Sequence, residues 1–199
     1  AHAKLTGRPG VLMVTRGPGA TNGAIGVHTA FQDSTPLIML IGQVGNDFIE
    51  REAFQEIDYR RMFGQMAKWV AQIDRADRIP EYMLRAFQTA TSGRPGPVVL
   101  ALPEDMLTTR ATVADTGPYQ PVRASASADQ IGQLREMLRQ AKRPFVIAGG
   151  GGWTPTAVEN LRLFAQRTCC ESWPRAEFVY AKDAKGRKGR KGNQKLWNR

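Results

Sequence analysis

Five short apolar segments constrain the fold of this chain more than any other feature. Val11-Leu12-Met13-Val14-Thr15, Leu37-Ile38-Met39-Leu40-Ile41, Val98-Val99-Leu100-Ala101-Leu102 and Phe145-Val146-Ile147-Ala148 are continuous runs, and Trp69-Val70-Ala71-Gln72-Ile73 is a weaker, mixed one. Successive strand residues point to opposite faces of a sheet. A run that does not alternate therefore predicts a strand covered on both faces, as in parallel sheets. Helical patterns lie between the runs. Asn22 to Gln32 is rich in small residues (Gly23, Ala24, Gly26, Ala30), which lets a helix approach a neighbour closely. Pro80 fits the first turn of a helix reaching about Thr91, with Gly93 as its stop and Tyr82, Met83, Ala86, Phe87 and Ala90 as its apolar face. Ser127 and Gln130 have capping-box spacing ahead of Ile131, Leu134, Met137 and Leu138. Thr154-Pro155 reads as the cap and first position of a helix ending near Arg167. Strand and helix in alternation predict an α/β fold, a doubly wound, mainly parallel sheet.

The organisation reads as four stretches. Residues 1–107 form a first α/β domain and 108–126, rich in Pro, Thr, Ser and Ala, a linker. Residues 127–167 supply only the opening of a second α/β domain. Residues 168–199 are a basic, low-complexity tail, expected to be disordered or translated in a shifted frame. The net charge of +10 suggests nucleic acid, but residues 168–199 carry nine basic and three acidic side chains, so the body needs no polyanionic partner. No aromatic residues alternate with the charges of Lys185 to Gly192, as a stacking platform for bases requires. There is no run of 18 apolar residues to span a membrane. The chain opens without an apolar signal segment and without Met, which points to a start further upstream. Cys169 and Cys170, the two cysteines, are adjacent and suit neither a disulfide framework nor a zinc site, so a reducing, cytoplasmic location fits. Gly-Arg-Pro-Gly occurs at 7–10 and again at 93–96, each copy ahead of an apolar run, as a repeated helix-to-strand turn would be.

The segment most suggestive of chemistry is Thr15-Arg16-Gly17-Pro18-Gly19-Ala20-Thr21-Asn22. It follows an apolar run and precedes a helix, at the carboxyl edge of the sheet, where open α/β sheets bind ligands. It matches neither a Walker loop nor a dinucleotide fingerprint, and a plain strand-to-helix turn is the alternative. Gly149 to Gly152 reads as a turn, with a dinucleotide role as the weaker alternative. His28 lies among small and apolar neighbours, without a second His or a carboxylate at matching spacing, and reads as a packed or partly exposed side chain.

Several blocks occur here in a fixed order: Thr6-Gly7-Arg8-Pro9-Gly10, Gly17-Pro18-Gly19-Ala20-Thr21-Asn22, Asp33-Ser34-Thr35-Pro36, Gly42-Gln43-Val44, Ala53-Phe54-Gln55-Glu56 and Gly93-Arg94-Pro95-Gly96-Pro97-Val98. Together they resemble the pyrimidine-binding domain of thiamine-diphosphate enzymes of the acetolactate synthase type, over residues 1 to about 107. Arg143 to Arg167 more loosely resembles the start of that family's central domain. The resemblance implies a 2-keto acid substrate, thiamine diphosphate with magnesium, in some relatives FAD, and a site built between paired subunits, hence a homo-oligomer. It places Pro18 and Asn22 along the pyrimidine ring, Gln43 in the substrate pocket, Phe54 and Gln55 near the substrate entrance, and Lys68 near the pocket or a flavin. Each has a structural alternative: Asn22 as a helix cap, Gln43 as a partner of loop backbone, Phe54 as core, Lys68 as a solvated charge. The family's catalytic glutamate falls before Ala1, so no catalytic residue is assigned. The Gly-Asp-Gly motif that holds magnesium and diphosphate does not occur, so no metal ligand is assigned either. The expectation is a fragment supplying the pyrimidine-side half of a site, inactive alone. The competing reading is a truncated α/β scaffold that binds a partner without catalysis.

Overall fold

A computed structural model describes residues 1–122, 124–142, 145–149, 153–171 and 177–180. The chain divides into two compact units, Ala1–Ser125 and Ala126–Arg199. The first unit runs α1 (His2–Thr6), β1 (Gly10–Val14), α2 (Gly17–Gln32), β2 (Leu37–Gln43), α3 (Tyr59–Phe63), β3 (Trp69–Gln72), α4 (Ile79–Thr91), β4 (Pro97–Pro103) and α5 (Glu104–Thr108). Its four strands form one parallel sheet in the order β1-β2-β4-β3. The apolar runs expected to be strands are strands, within a residue or two at their ends.

The register explains why the runs do not alternate. Leu12, Met39, Val99 and Val70 sit side by side on one face. Ala20, Ala24 and Val27 of α2 and Tyr59, Met62 and Phe63 of α3 pack over that face. One residue to either side, Ile38, Val98 and Trp69 and then Leu40, Leu100 and Ala71 point to the other face. That face is covered by Tyr82, Met83, Ala86, Phe87 and Ala90 of α4 and by Met106 of α5. The apolar face read for the helix from Pro80 is the one that packs. Helices on both faces make the sheet doubly wound.

Strand β1 departs from the expectation. Its rows on the α4 face continue into Val11 and Met13, yet these are 52% and 71% exposed. β1 is an edge strand of this sheet, and α4 and α5 pack against the other three strands. Its continuous run is therefore covered on one face only.

The segment after α5 has no regular structure among its described residues, and Tyr119 stacks on Phe87 of α4 with ring centroids 5.0 Å apart. In the second unit, α6 (Ala128–Gln140) opens on the expected capping box, with Ser127 Oγ accepting from the Gln130 N–H and Gln130 Oε1 from the Ser127 N–H. Next come β5 (Phe145–Ala148), α7 (Pro155–Glu171) and β6 (Glu177–Tyr180), with β5 and β6 paired in parallel. Thr154 Oγ1 caps α7 through the Ala157 N–H, and the helix runs four residues past the expected Arg167, to Glu171. β5 was expected to be buried, but Phe145 and Ile147 are exposed. So are Ile131, Leu134 and Met137 of α6. The tail expected from residue 168 thus contains the end of α7 and strand β6. Residues 181–199, with the Lys185 to Gly192 run, lie outside the described residues, as do Gly150 to Gly152.

Candidate functional site

β1 delivers the chain to the carboxyl edge of the sheet at Val14, and α2 begins three residues later. The structure corrects the expected loop here. Gly17-Pro18-Gly19 is the first turn of the helix, with Arg16 as its N-cap, so the helix starts five residues before Asn22. Proline suits this position because its φ is already helical and its missing N–H belongs to a turn without intrahelical acceptors. Asn22 is therefore no cap. Four residues apart on one helix, Pro18 and Asn22 share a face, and both are exposed. Beside them lies a shallow, open groove of about 510 Å³, lined by Leu12, Val14, Thr15, Gly19, Asn22, Gly23 and Gly26. Two of its glycines serve close packing. A Cβ on Gly19 would meet Thr15 Cγ2 at 3.0 Å, and one on Gly23 would meet Met39 Cε at 2.5 Å. Gly26 has nothing within 4 Å of where a Cβ would stand.

On the far side of the α2 start, a strap of residues 49–57 is tied down at two points and closed on itself at a third. Gly17 donates its N–H to the Gln55 carbonyl at 3.1 Å. Gln43, at the end of β2 and 5% exposed, donates Nε2–H to the Ile57 carbonyl at 2.9 Å, and its Oε1 accepts from the Val44 N–H at 3.0 Å. Glu56 closes the strap on itself: Oε1 accepts from the Glu50 N–H at 2.7 Å and Oε2 from the Ala53 N–H at 3.2 Å. Phe54 stands out at 79% exposure, which disposes of its core alternative.

Below the strap, buried Tyr59 donates its hydroxyl to the Gly42 carbonyl at 3.3 Å. Burial pushes its pKa up to about 12, with the Arg16 guanidinium pulling the other way. Arg16 also pairs with Glu104, linking the end of β1 to the end of β4. Asp105 accepts from the Asn46 N–H at 3.2 Å and from Asn46 Nδ2–H, joining the segments that follow β2 and β4. Partial burial acts to raise the Asp105 pKa. Hydrogen bonds from Asn46 and Met106 outweigh it and hold the carboxyl below the usual value.

The structure thus brings Pro18, Asn22, Gln43, Phe54 and Gln55 to one carboxyl edge. Lys68 is not among them. It precedes β3, its N–H bonds the Pro97 carbonyl at the start of β4, and it lies at the opposite edge of the sheet. Its ammonium donates to the Thr89 and Ser92 carbonyls at the end of α4, and burial lowers its pKa. His28 is exposed on α2 beside Gln32. Arg16, Glu56 and Tyr59 went unassigned in the sequence. Glu56 stands inside a recognised block, but neither spacing nor periodicity marks it as a backbone acceptor.

This edge suits an uncharged aromatic ring: Leu12 and Val14 offer an apolar wall, and Thr15 and Asn22 place a hydroxyl and an amide on the rim. It does not suit a metal-bound diphosphate. Among the described residues no three His, Cys, Asp or Glu side chains converge to hold a cation, and no helix is long and apolar enough to cross a membrane.

Residues 1–62 match the family model described as thiamine pyrophosphate enzyme, N-terminal TPP binding domain. The chain is 37% identical over 176 residues to the acetolactate synthase large subunit of Buchnera aphidicola (from Schizaphis graminum), covering 85% of this chain and 31% of that protein. It is 38% identical over 167 residues to the acetolactate synthase isozyme 3 large subunit of Escherichia coli, covering 80% of this chain and 29% of that one. Benzoylformate decarboxylase from Polynucleobacter necessarius superposes with a TM-score of 0.65 at 26% identity, over 71% of this chain and 27% of that one. The chain therefore spans about a third of the length of the curated relatives it matches. Over the matched residues the chain is similar to acetolactate synthase large subunits, and its residues 1–62 match the N-terminal TPP binding domain of thiamine pyrophosphate enzymes.

Proposed function

We propose that this chain supplies the pyrimidine side of a thiamine-diphosphate site in an enzyme that decarboxylates or ligates 2-keto acids. The observation that carries the reading is the shared face of Pro18 and Asn22 beside an apolar, glycine-floored groove at the carboxyl edge. When bound, the cofactor supplies a nucleophilic carbon and an electron sink for the 2-keto acid. The residues of this chain would hold and orient it: Leu12, Val14 and Pro18 would flank the ring, and Asn22 and Thr15 would offer hydrogen-bonding groups to its edge. Phe54 and Gln55 border the substrate side, on the strap that Gln43 anchors.

Magnesium and diphosphate need acidic and amide ligands. The chain contains no Gly-Asp-Gly, so we place those ligands on another segment or on a partner subunit of a homo-oligomer. On that reading the 199-residue chain alone releases no carbon dioxide from pyruvate.

The test is a titration of the isotope-labelled chain with thiamine, followed by amide NMR. The expected result is saturable shifts confined to residues 12–26 and 42–57. Shifts scattered over the surface, or none at millimolar thiamine, would overturn the reading. Thiamine- and magnesium-dependent carbon dioxide release by the purified chain would overturn the placement of the metal ligands.

A further inference from the structure

The strap contains three residues other than glycine in the left-handed region within six positions: Glu50 at φ 63°, Glu52 at 54° and Gln55 at 67°. Side chains disfavour this conformation, so a strap left to itself would relax out of it. One side chain opposes the relaxation. The two Glu56 carboxylate oxygens each take a backbone N–H, from Glu50 and Ala53, and the Glu56 N–H donates back to the Ala53 carbonyl at 3.0 Å. The carboxylate thus closes a ring around Glu52 and a second around Phe54 and Gln55. The ring's outer side is fixed by the Gln55 carbonyl on Gly17 and by the Ile57 carbonyl on Gln43. Phe54 is 79% exposed, so burial contributes little to its direction, and its backbone lies inside the ring that Glu56 closes on Ala53.

We propose that Glu56 is a positioning residue for the substrate side of the site: it holds the strained turn that presents Phe54 and Gln55 beside the start of α2. The inference rests on the proposed cofactor reading of that edge. Its chemistry is that of an ionised acceptor, which binds backbone N–H groups more strongly than a neutral oxygen does. A glutamine at this position keeps one acceptor oxygen and can hold one of the two N–H groups. An alanine holds neither.

The experiment uses the full chain and its Glu56→Ala and Glu56→Gln variants, with thiamine and pyruvate as probes. Amide hydrogen exchange at residues 50 and 53 reads the clamp, and ligand-induced amide shifts at 17–22 and 54–55 read the site. The expected result for Glu56→Ala is at least tenfold faster exchange at both amides, with exchange in β2 and β4 unchanged and pyruvate-induced shifts at 54–55 lost. Glu56→Gln should retain protection at one amide and part of the response. Adding Glu50→Gly and Glu52→Gly to Glu56→Ala should restore the response, because glycine adopts the turn without a clamp. Unchanged exchange in Glu56→Ala, or a ligand response that survives loss of the clamp, overturns the inference while leaving the cofactor reading standing. Failure of the glycine rescue overturns the positioning role. A wild-type chain that does not respond to thiamine at all overturns the cofactor reading itself, and this inference with it.

Discussion

The Gln43 amide and the Ile57 carbonyl meet at 2.9 Å across 14 positions of sequence, and this contact ties the end of β2 to the strap that borders the site. The resemblance gives Gln43 a pocket role. The structure shows both ends of its amide engaged, Nε2–H with Ile57 and Oε1 with the Val44 N–H. Replacing it by leucine leaves an N–H and a carbonyl without partners in a nearly dry place. Gln43→Leu should lower stability by about 2–4 kcal/mol in urea titration. Gln43→Glu keeps the acceptor for Val44 but sets an oxygen against the Ile57 carbonyl, so its effect should concentrate in residues 55–57. A loss below about 0.5 kcal/mol for the leucine variant, the noise of such measurements, would mean the amide does not act as a strut.

Gly17 admits no side chain. A Cβ there would stand 3.0 Å from both the Gln55 carbonyl oxygen and Ile57 Cδ1. The carbonyl cannot retreat without breaking its own bond to the Gly17 N–H. Gly17→Ala should therefore cost about 1–3 kcal/mol by overpacking and displace the strap. Chemical shifts of residues 53–57 would register the displacement, and a variant with wild-type shifts there would contradict the close approach.

Lys68 separates a structural role from a site role. Its ammonium supplies donors to two carbonyls at the end of α4, where positive charge also complements the helix dipole. Lys68→Met keeps the aliphatic stem against Gly96 and removes the charge. The expected loss is about 1 kcal/mol, with faster amide exchange in the last turn of α4. Thiamine-induced shifts should be unaffected, since Lys68 lies at the other edge of the sheet. Loss of those shifts would bring it back to the site.

The apolar runs made the sheet legible because a parallel strand leaves its signature in every residue, and the helix faces followed from periodicity. What sequence could not convey is which strand ends up at an edge. Val11 and Met13 read like Ile38 and Leu40 until the strand order is known. The start of α2 is hidden in the sequence because Gly-Pro-Gly reads as a loop, although proline is well placed in a first turn. Pro18, Asn22, Gln43, Phe54 and Gln55 lie at the carboxyl edge of the sheet, and Lys68 lies at the other, where its position beside β3 depends on a pairing with β4 that spacing does not encode. Glu56 and Tyr59 escaped notice for the same reason: their roles lie in backbone groups, which no residue pattern marks.

Tyr59 should give the molecule an alkaline limit. Burial raises its hydroxyl from 10.0 to about 12 in the folded chain, so the folded state holds its proton more tightly than the unfolded state does. The stability linked to it is fully present below pH 10 and is lost as pH rises through about 12. The loss should amount to roughly 1–3 kcal/mol. Comparing urea midpoints of the wild type and Tyr59→Phe between pH 9 and 12.5 isolates this contribution, on the order of the shift above. The phenylalanine curve should fall less steeply. Parallel curves would mean the hydroxyl is not desolvated.

Gly26 joins stability and function in one substitution. It lies inside α2, its φ is not in the left-handed region, and a Cβ there would have nothing within 4 Å. A helix-interior glycine in open space costs about 0.5–1 kcal/mol relative to alanine, so Gly26→Ala should stabilise the chain by about that amount. The same methyl group would stand in the groove with Asn22 and Leu12. If a pyrimidine ring occupies that groove, the variant should melt higher while its thiamine response weakens severalfold. Opposite movement of the two quantities is the result to expect, because one reads the helix backbone and the other the space beside it. A variant that is more stable and responds to thiamine as the wild type does would move the ring away from Gly26, towards Pro18 and the end of β1.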